Sequence, residues 1–135
     1  MPVVNFHLPE HLVSAKVGQR LTQKSCTLFA EVLDSPVERI RSYLTLYPSW
    51  AACTGQDAGA SAFYQFFVLQ DRPPEQVAAL HKAFTELVAE ELRVDNKSVR
   101  GACLRISPDD WGIAGLPASH ARKTELKNRA EQFAR

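Results

Sequence analysis

The sequence predicts an α/β (α+β) fold: two fused β-α-β repeats forming one four-stranded mixed sheet with two helices on one face, followed by a C-terminal helical tail. Three observations carry this prediction. The order strand, helix, strand occurs twice over segments of similar length. Each round closes on a proline and then a tryptophan, Pro48-Ser49-Trp50 and Pro108-Asp109-Asp110-Trp111. A helical crossover between two strands makes those strands parallel neighbours.

Residues 2–8 read as the first strand, ended by Pro9. From about Ser14 to Leu33, Val17, Leu21, Leu28 and Val32 recur at intervals of three to four or their multiples, which predicts a helix with one buried face. Asp34-Ser35-Pro36 stops it. Residues 39–47 alternate, with Ile40, Ser42, Leu44 and Leu46 on one face and Arg41, Tyr43, Thr45 and Tyr47 on the other, a strand pattern. A Gly- and Ala-containing loop is expected from Ala51 to Ser61. The second round starts with a continuous apolar run, Phe63 to Gln70, suited to a buried strand. Asp71-Arg72-Pro73-Pro74-Glu75 opens the second helix, because proline is tolerated in a first turn and acids there favour the helix dipole. Its stripe is Val77, Leu80, Phe84, Leu87, Val88 and Leu92, and residues 98–107 give the fourth strand.

The expected organisation is therefore one domain over 1–116, with repeats of about 2–60 and 61–116, and a helical tail over 117–135. Between Ser119 and Arg135 five cations face two acids, a net charge of +3, with a thin apolar seam at Leu126, Ala130 and Phe133. With two acids among its residues the tail is not a nucleic-acid arm, and reads as a surface helix laid over the same or a neighbouring subunit. Both core helices fall on one sheet face, so the other face needs a partner. Self-association into a closed homo-oligomer is the expectation.

Composition excludes several classes. At 135 residues, 45% hydrophobic, 23% charged and net +1, the chain has no global pull towards nucleic acid or membrane. No apolar run reaches the length of a membrane span, and a cytoplasmic location without a signal peptide is expected. Cys26, Cys53 and Cys103 are odd in number and widely spaced, which reads as reduced, semi-buried thiols rather than a disulfide frame. His7, His11, His81 and His120 make no ligand spacing, so no metal is expected.

The chemistry begins at the second residue. If the initiator methionine is removed, Pro2 becomes a free secondary amine at the start of a strand. Such a group titrates near pH ~8, lower beside a cation, and is a general base when neutral. Without that removal, Pro2 is only a strand-initiating proline whose missing N–H costs little.

Pro2, the Pro36-to-Arg41 segment, Arg72 with Pro73-Pro74, Glu90-Glu91-Leu92 and the turn Asp109-Asp110-Trp111-Gly112-Ile113-Ala114-Gly115 follow one another on a two-repeat frame. In this the chain resembles the tautomerase superfamily of amino-terminal-proline proteins, and within it the malonate semialdehyde decarboxylase-like branch, from Pro2 to about Leu116. The resemblance implies a tautomerase/macrophage migration inhibitory factor-like fold, a homotrimer, and cofactor-independent proton transfer on a small oxo/enol carboxylate. It implies Pro2 as the catalytic residue, with Arg72 binding the substrate carboxylate and Trp111 and Ile113 lining the pocket. Glu38, Tyr43 and Arg105 are weaker candidates.

Two departures narrow the reaction. The superfamily's carboxylate early in the second strand falls at Ile40, with Glu38 two residues away, and its other arginine falls at Gln70. Both losses argue against efficient decarboxylation or hydration. Keto–enol tautomerisation of a 2-oxo or 2-hydroxy-dienoate acid asks only for a base and a cation. The alternatives are a malonate semialdehyde decarboxylase- or hydratase-like activity, which needs Glu38 in the pocket, and a non-catalytic binding oligomer of the same fold.

Overall fold

The first repeat consists of β1 (Val3–Pro9), α1 (Ala15–Leu33) and β2 (Arg41–Tyr47). The second consists of β5 (Ala62–Leu69), α2 (Pro74–Leu92) and β6 (Val99–Ile106), after a short hairpin of β3 (Cys53–Thr54) and β4 (Asp57–Ala58). This is a computed structural model, and it describes residues 2–58 and 61–134. Met1, and with it the question of its removal, lies outside the described residues, as do Gly59, Ala60 and Arg135.

The main sheet has the order β2-β1-β5-β6. β1 and β2 run parallel, β5 and β6 run parallel, and the two repeats meet antiparallel through β1 and β5. This is the four-stranded mixed sheet read from the sequence. Core side chains come from alternate strand positions, Val4, Phe6 and Leu8 on β1 and Tyr64, Phe66 and Val68 on β5. Leu21, Phe29, Leu33, Leu80, Phe84 and Val88 of the two helices cover them. Between the helices, Glu91 of α2 accepts from Arg20 at 2.7 Å and Lys24 at 2.9 Å of α1.

Helix ends follow local chemistry. Ser14 caps α1 by accepting the Val17 N–H at 3.2 Å. Asp34 and Arg93 close α1 and α2 in the left-handed region, at φ 51° and 57°. Thus the Asp34 stop expected from sequence acts by a backbone conformation, ahead of Pro36.

Three expectations change. Ala51–Ser61 is not one irregular loop: a 3-10 turn over Ser49–Ala51 leads into the β3–β4 hairpin, with Gly55 at φ 61°. The same device ends the second repeat, where Ala114 and Gly115 (φ 52° and 86°) turn β7 (Gly112–Ile113) into β8 (Leu116–Pro117). Second, β5 is apolar apart from Gln65, and its burial alternates along the strand until Leu69, which is buried on the opposite face. Ala62, Tyr64, Phe66 and Val68 are buried, while Phe63, Gln65 and Phe67 are half-buried on the sheet face without helices. Third, Cys53 is exposed on the hairpin, whereas Cys26 and Cys103 are semi-buried as expected.

Gly101 shows how tightly the core constrains β6. A Cβ there would lie 2.0 Å from Cζ of Tyr64. That ring is buried, and its hydroxyl is 2.7 Å from Nδ1 of His81 and 3.3 Å from Oγ1 of Thr85. Gly101→Ala is expected to cost about 2–4 kcal/mol, because ring and hydrogen bonds must shift together. Urea unfolding followed by circular dichroism measures it, and a loss under about 0.5 kcal/mol contradicts the packing described.

The tail forms α3 (Ala118–Ala121) and α4 (Lys123–Phe133). The apolar seam does not seat α4: Ala130 and Phe133 are exposed and only Leu126 is partly covered. Ion pairs hold it instead, over the end of the sheet where β1 begins.

Candidate active site

Pro2 continues the alternation of Val4 and Phe6, and is itself buried. It lies at the sheet end where α1 finishes, β5 finishes and the turn into α2 begins. A small cavity lies there, enclosing about 20 Å³. Pro2, Arg72 and Trp111 line it together, with Leu33, Val68 and Leu69 as apolar walls. Strand pairing holds Pro2 in place: its carbonyl accepts the Arg41 N–H at 3.1 Å.

Arg72 is 9% exposed. Its Nη1 donates to the Leu33 carbonyl at 3.0 Å and Nη2 to the Ser35 hydroxyl at 3.3 Å. Both acceptors belong to the end of α1, so the arginine closes one repeat's helix while standing at the other repeat's strand end. Burial, reinforced by the Arg129 cation, pushes its pKa down to about 10, so it stays charged at neutral pH. No carboxylate pairs with it among the described residues. Asp71, Glu125 and Asp34 offset part of that cost from a distance, but none hydrogen-bonds the guanidinium, which leaves it able to take an anion.

Trp111 follows the 3-10 turn Pro108–Asp110, and its ring centroid is 6.2 Å from that of Phe67. Its counterpart Trp50 is 85% exposed. The two closing motifs are alike in sequence, but only the second reaches the cavity that holds Pro2.

The remaining candidates lie elsewhere. Ile113 is on the β7–β8 hairpin and does not line the cavity. Glu38 is exposed in the turn before β2, so decarboxylation or hydration through Glu38 lacks its residue. Ile40 is buried in the core, which explains why no carboxylate stands there. Tyr43 is 49% exposed on the edge strand. Arg105 donates to the carbonyls of Gln70 and Arg72, and so braces the turn that presents Arg72 instead of facing the cavity.

The structure adds three charged groups that sequence reasoning had not placed here: Arg39, Glu125 and Arg129. Glu125 and Arg129 come from α4, one helical turn apart on the same face. Arg39 grips Glu125 through both guanidinium nitrogens, Nη1 at 2.7 Å and Nη2 at 2.9 Å. Arg129 grips Asp71 likewise, Nε at 2.7 Å and Nη2 at 3.0 Å. The hydrogen bonds from Arg39 lower the pKa of Glu125 and outweigh its burial, so it is ionised. The i, i+4 spacing of Glu125 and Arg129 was visible, but nothing local said which strand end they would reach.

Among the described residues no cluster of His, Cys, Asp and Glu is arranged to hold a metal ion. No helix is long and apolar enough to cross a membrane.

No protein-family model matches the chain, and no curated protein does. Solved structures do match. A structure titled fused 4-OT wild type symmetric trimer is 25% identical with a TM-score of 0.82, covering 88% of this chain and 98% of its own. Pt0534, solved after inactivation by 2-oxo-3-pentynoate, is 20% identical with a TM-score of 0.84 over the same shares. A macrophage migration inhibitory factor-like protein from Entamoeba histolytica is 13% identical at a TM-score of 0.72, covering 85% of this chain and 96% of its own. The chain therefore has the tautomerase/macrophage migration inhibitory factor-like fold. These neighbours support the tautomerase superfamily without singling out the malonate semialdehyde decarboxylase-like branch.

Proposed function

We propose that this chain is a tautomerase that moves a proton on a small 2-oxo/enol carboxylic acid, with Pro2 as the general base. The observation that carries this reading is one cavity shared by Pro2 and the unpaired, buried Arg72. Structural likeness to 4-oxalocrotonate tautomerase-like proteins supports tautomerase-superfamily activity.

The roles follow from the groups. Arg72 takes the substrate carboxylate on guanidinium hydrogens that Leu33 and Ser35 leave free. That sets the carbon next to the carbonyl, or the enol oxygen, before Pro2. The neutral amine removes the proton at one position and returns it at the other, and no cofactor is needed. The same Arg72 charge disfavours the protonated amine and keeps more of it in the basic form at neutral pH. Trp111 and the aliphatic walls exclude water from the enolate, which strengthens the guanidinium–oxyanion attraction.

The assembly belongs to the same reading. The sheet face bearing Tyr43, Phe63 and Phe67 has no helices over it, and fused 4-OT structures are trimers. A homotrimer covers that face, and light scattering of the purified chain measures it.

The test compares two preparations whose intact masses show Met1 removed or retained. The Met1-free chain is expected to ketonise the enol of phenylpyruvate. The Met1-retaining chain, whose Pro2 nitrogen is an amide without basicity, is expected not to. Equal turnover by both sinks the reading.

A further inference from the structure

We infer that the C-terminal helix α4 sets the substrate class of this site, making it selective for monocarboxylates through Glu125 and Arg129. The inference rests on the reading of Pro2 and Arg72 as the substrate site, and names what that site accepts.

Two solved fused 4-OT structures are matched over 98% of their own length but use only 88% of this chain. About an eighth of this chain lies outside that match. Two side chains of α4, Glu125 and Arg129, stand in the cavity. Where a strand carboxylate is missing because Ile40 is in the core, Glu125 brings one from α4. Where Gln70 stands exposed in place of an arginine, Arg129 reaches the cavity from the same helix.

The charge balance then decides what fits. Arg39, Arg72 and Arg129 supply three positive charges at the cavity, and Glu125 and Asp71 take up two of them through bidentate pairs. Asp34 acts on Arg72 and Arg122 on Glu125, one acid and one cation that offset each other in the count. Among these described groups one positive charge is left over, and Arg72 is the cation that no carboxylate hydrogen-bonds. A monocarboxylate neutralises it. A dicarboxylate brings a second negative charge into a partly buried space already holding Glu125. With Arg72 taken by the first carboxylate and Arg39 and Arg129 held by Glu125 and Asp71, no cation remains for the second, and desolvating it unpaired discriminates by at least about tenfold. The walls Leu33, Val68, Leu69 and Trp111 offer the far end of the substrate an apolar surface instead. The class is therefore a short 2-oxo monocarboxylic acid or its enol, with an apolar or aromatic remainder.

Calorimetric titration of the whole Met1-free chain with 2-oxobutyrate and with 2-oxoglutarate tests this without relying on turnover. The wild type is expected to bind 2-oxobutyrate about tenfold or more tightly than 2-oxoglutarate. Glu125→Gln should shift that ratio about tenfold towards the dicarboxylate. The double variant Arg39→Gln with Glu125→Gln restores the net charge, and should restore the wild-type ratio even if α4 is held less firmly. A wild type that binds both acids equally, prefers the dicarboxylate or binds neither overturns the inference. So does a ratio that Glu125→Gln leaves unmoved, or that the double variant fails to restore. Catalysis by Pro2 is read separately, so loss of turnover with the selectivity intact indicts the base and not the helix.

Discussion

Replacing Arg72 by methionine is expected to lower kcat/KM for phenylpyruvate enol by about 30- to 3,000-fold while leaving the fold as stable as before, within about 1 kcal/mol. The activity loss corresponds to about 2–5 kcal/mol, the worth of a desolvated charged partner removed from a carboxylate. The stability expectation has a separate cause. Arg72 is a buried guanidinium without a carboxylate partner among the described residues, so desolvation already costs the folded state. Methionine fills similar space and releases that cost, against the hydrogen bonds to Leu33 and Ser35 that are lost. Activity assays and urea unfolding of the same preparation read the two effects. Turnover within a few fold of wild type removes Arg72 from substrate binding. Destabilisation above about 3 kcal/mol makes it a structural arginine.

Pro2→Ala should lower kcat for the same substrate by about 100- to 10,000-fold, the range of a positioned general base. The residual rate has a chemical source. Alanine at the second position still ends in an α-amine once Met1 is removed, but that primary amine is free to rotate, whereas the pyrrolidine ring fixes its nitrogen relative to β1. The effect should fall on kcat more than on KM, because Arg72 and the apolar walls still hold the substrate. An unchanged kcat contradicts the assignment, whatever the effect on KM.

Much of the frame was legible because it is written locally. The periodicities of α1 and α2 and the alternation along β2 each follow from side-chain patterns a few residues long. Pro2, Arg72 and Trp111 were brought into one candidate site by the resemblance to the tautomerase superfamily, on a frame that the repeat itself made legible. What failed was long-range. The tail's +3 charge and weak seam say that α4 is a surface helix, but not that Glu125 and Arg129 meet Arg39 and Asp71. Ile113 was drawn to the site by its place beside Trp111, yet the left-handed pair Ala114-Gly115 folds it back into a hairpin. Phe63 to Gln70 reads as a buried strand because its apolar side chains do not tell the helix-covered face from the other, where Phe63 and Phe67 are only half-buried.

The proposed catalysis depends most on one property, a basic nitrogen at Pro2, and the pH dependence of kcat/KM measures it most directly. The Met1-free chain, its start confirmed by intact mass, is assayed with phenylpyruvate enol from about pH 5 to 9. A general base must be unprotonated to act, so the rate rises with pH through the pKa of the amine. With the Arg72 cation at the same cavity, that midpoint is expected below the ordinary α-amine value of ~7.7–8.0, and it should move up in Arg72→Met. A rate that stays flat across the range, or one that falls as pH rises through neutrality, contradicts a neutral Pro2 amine as the base.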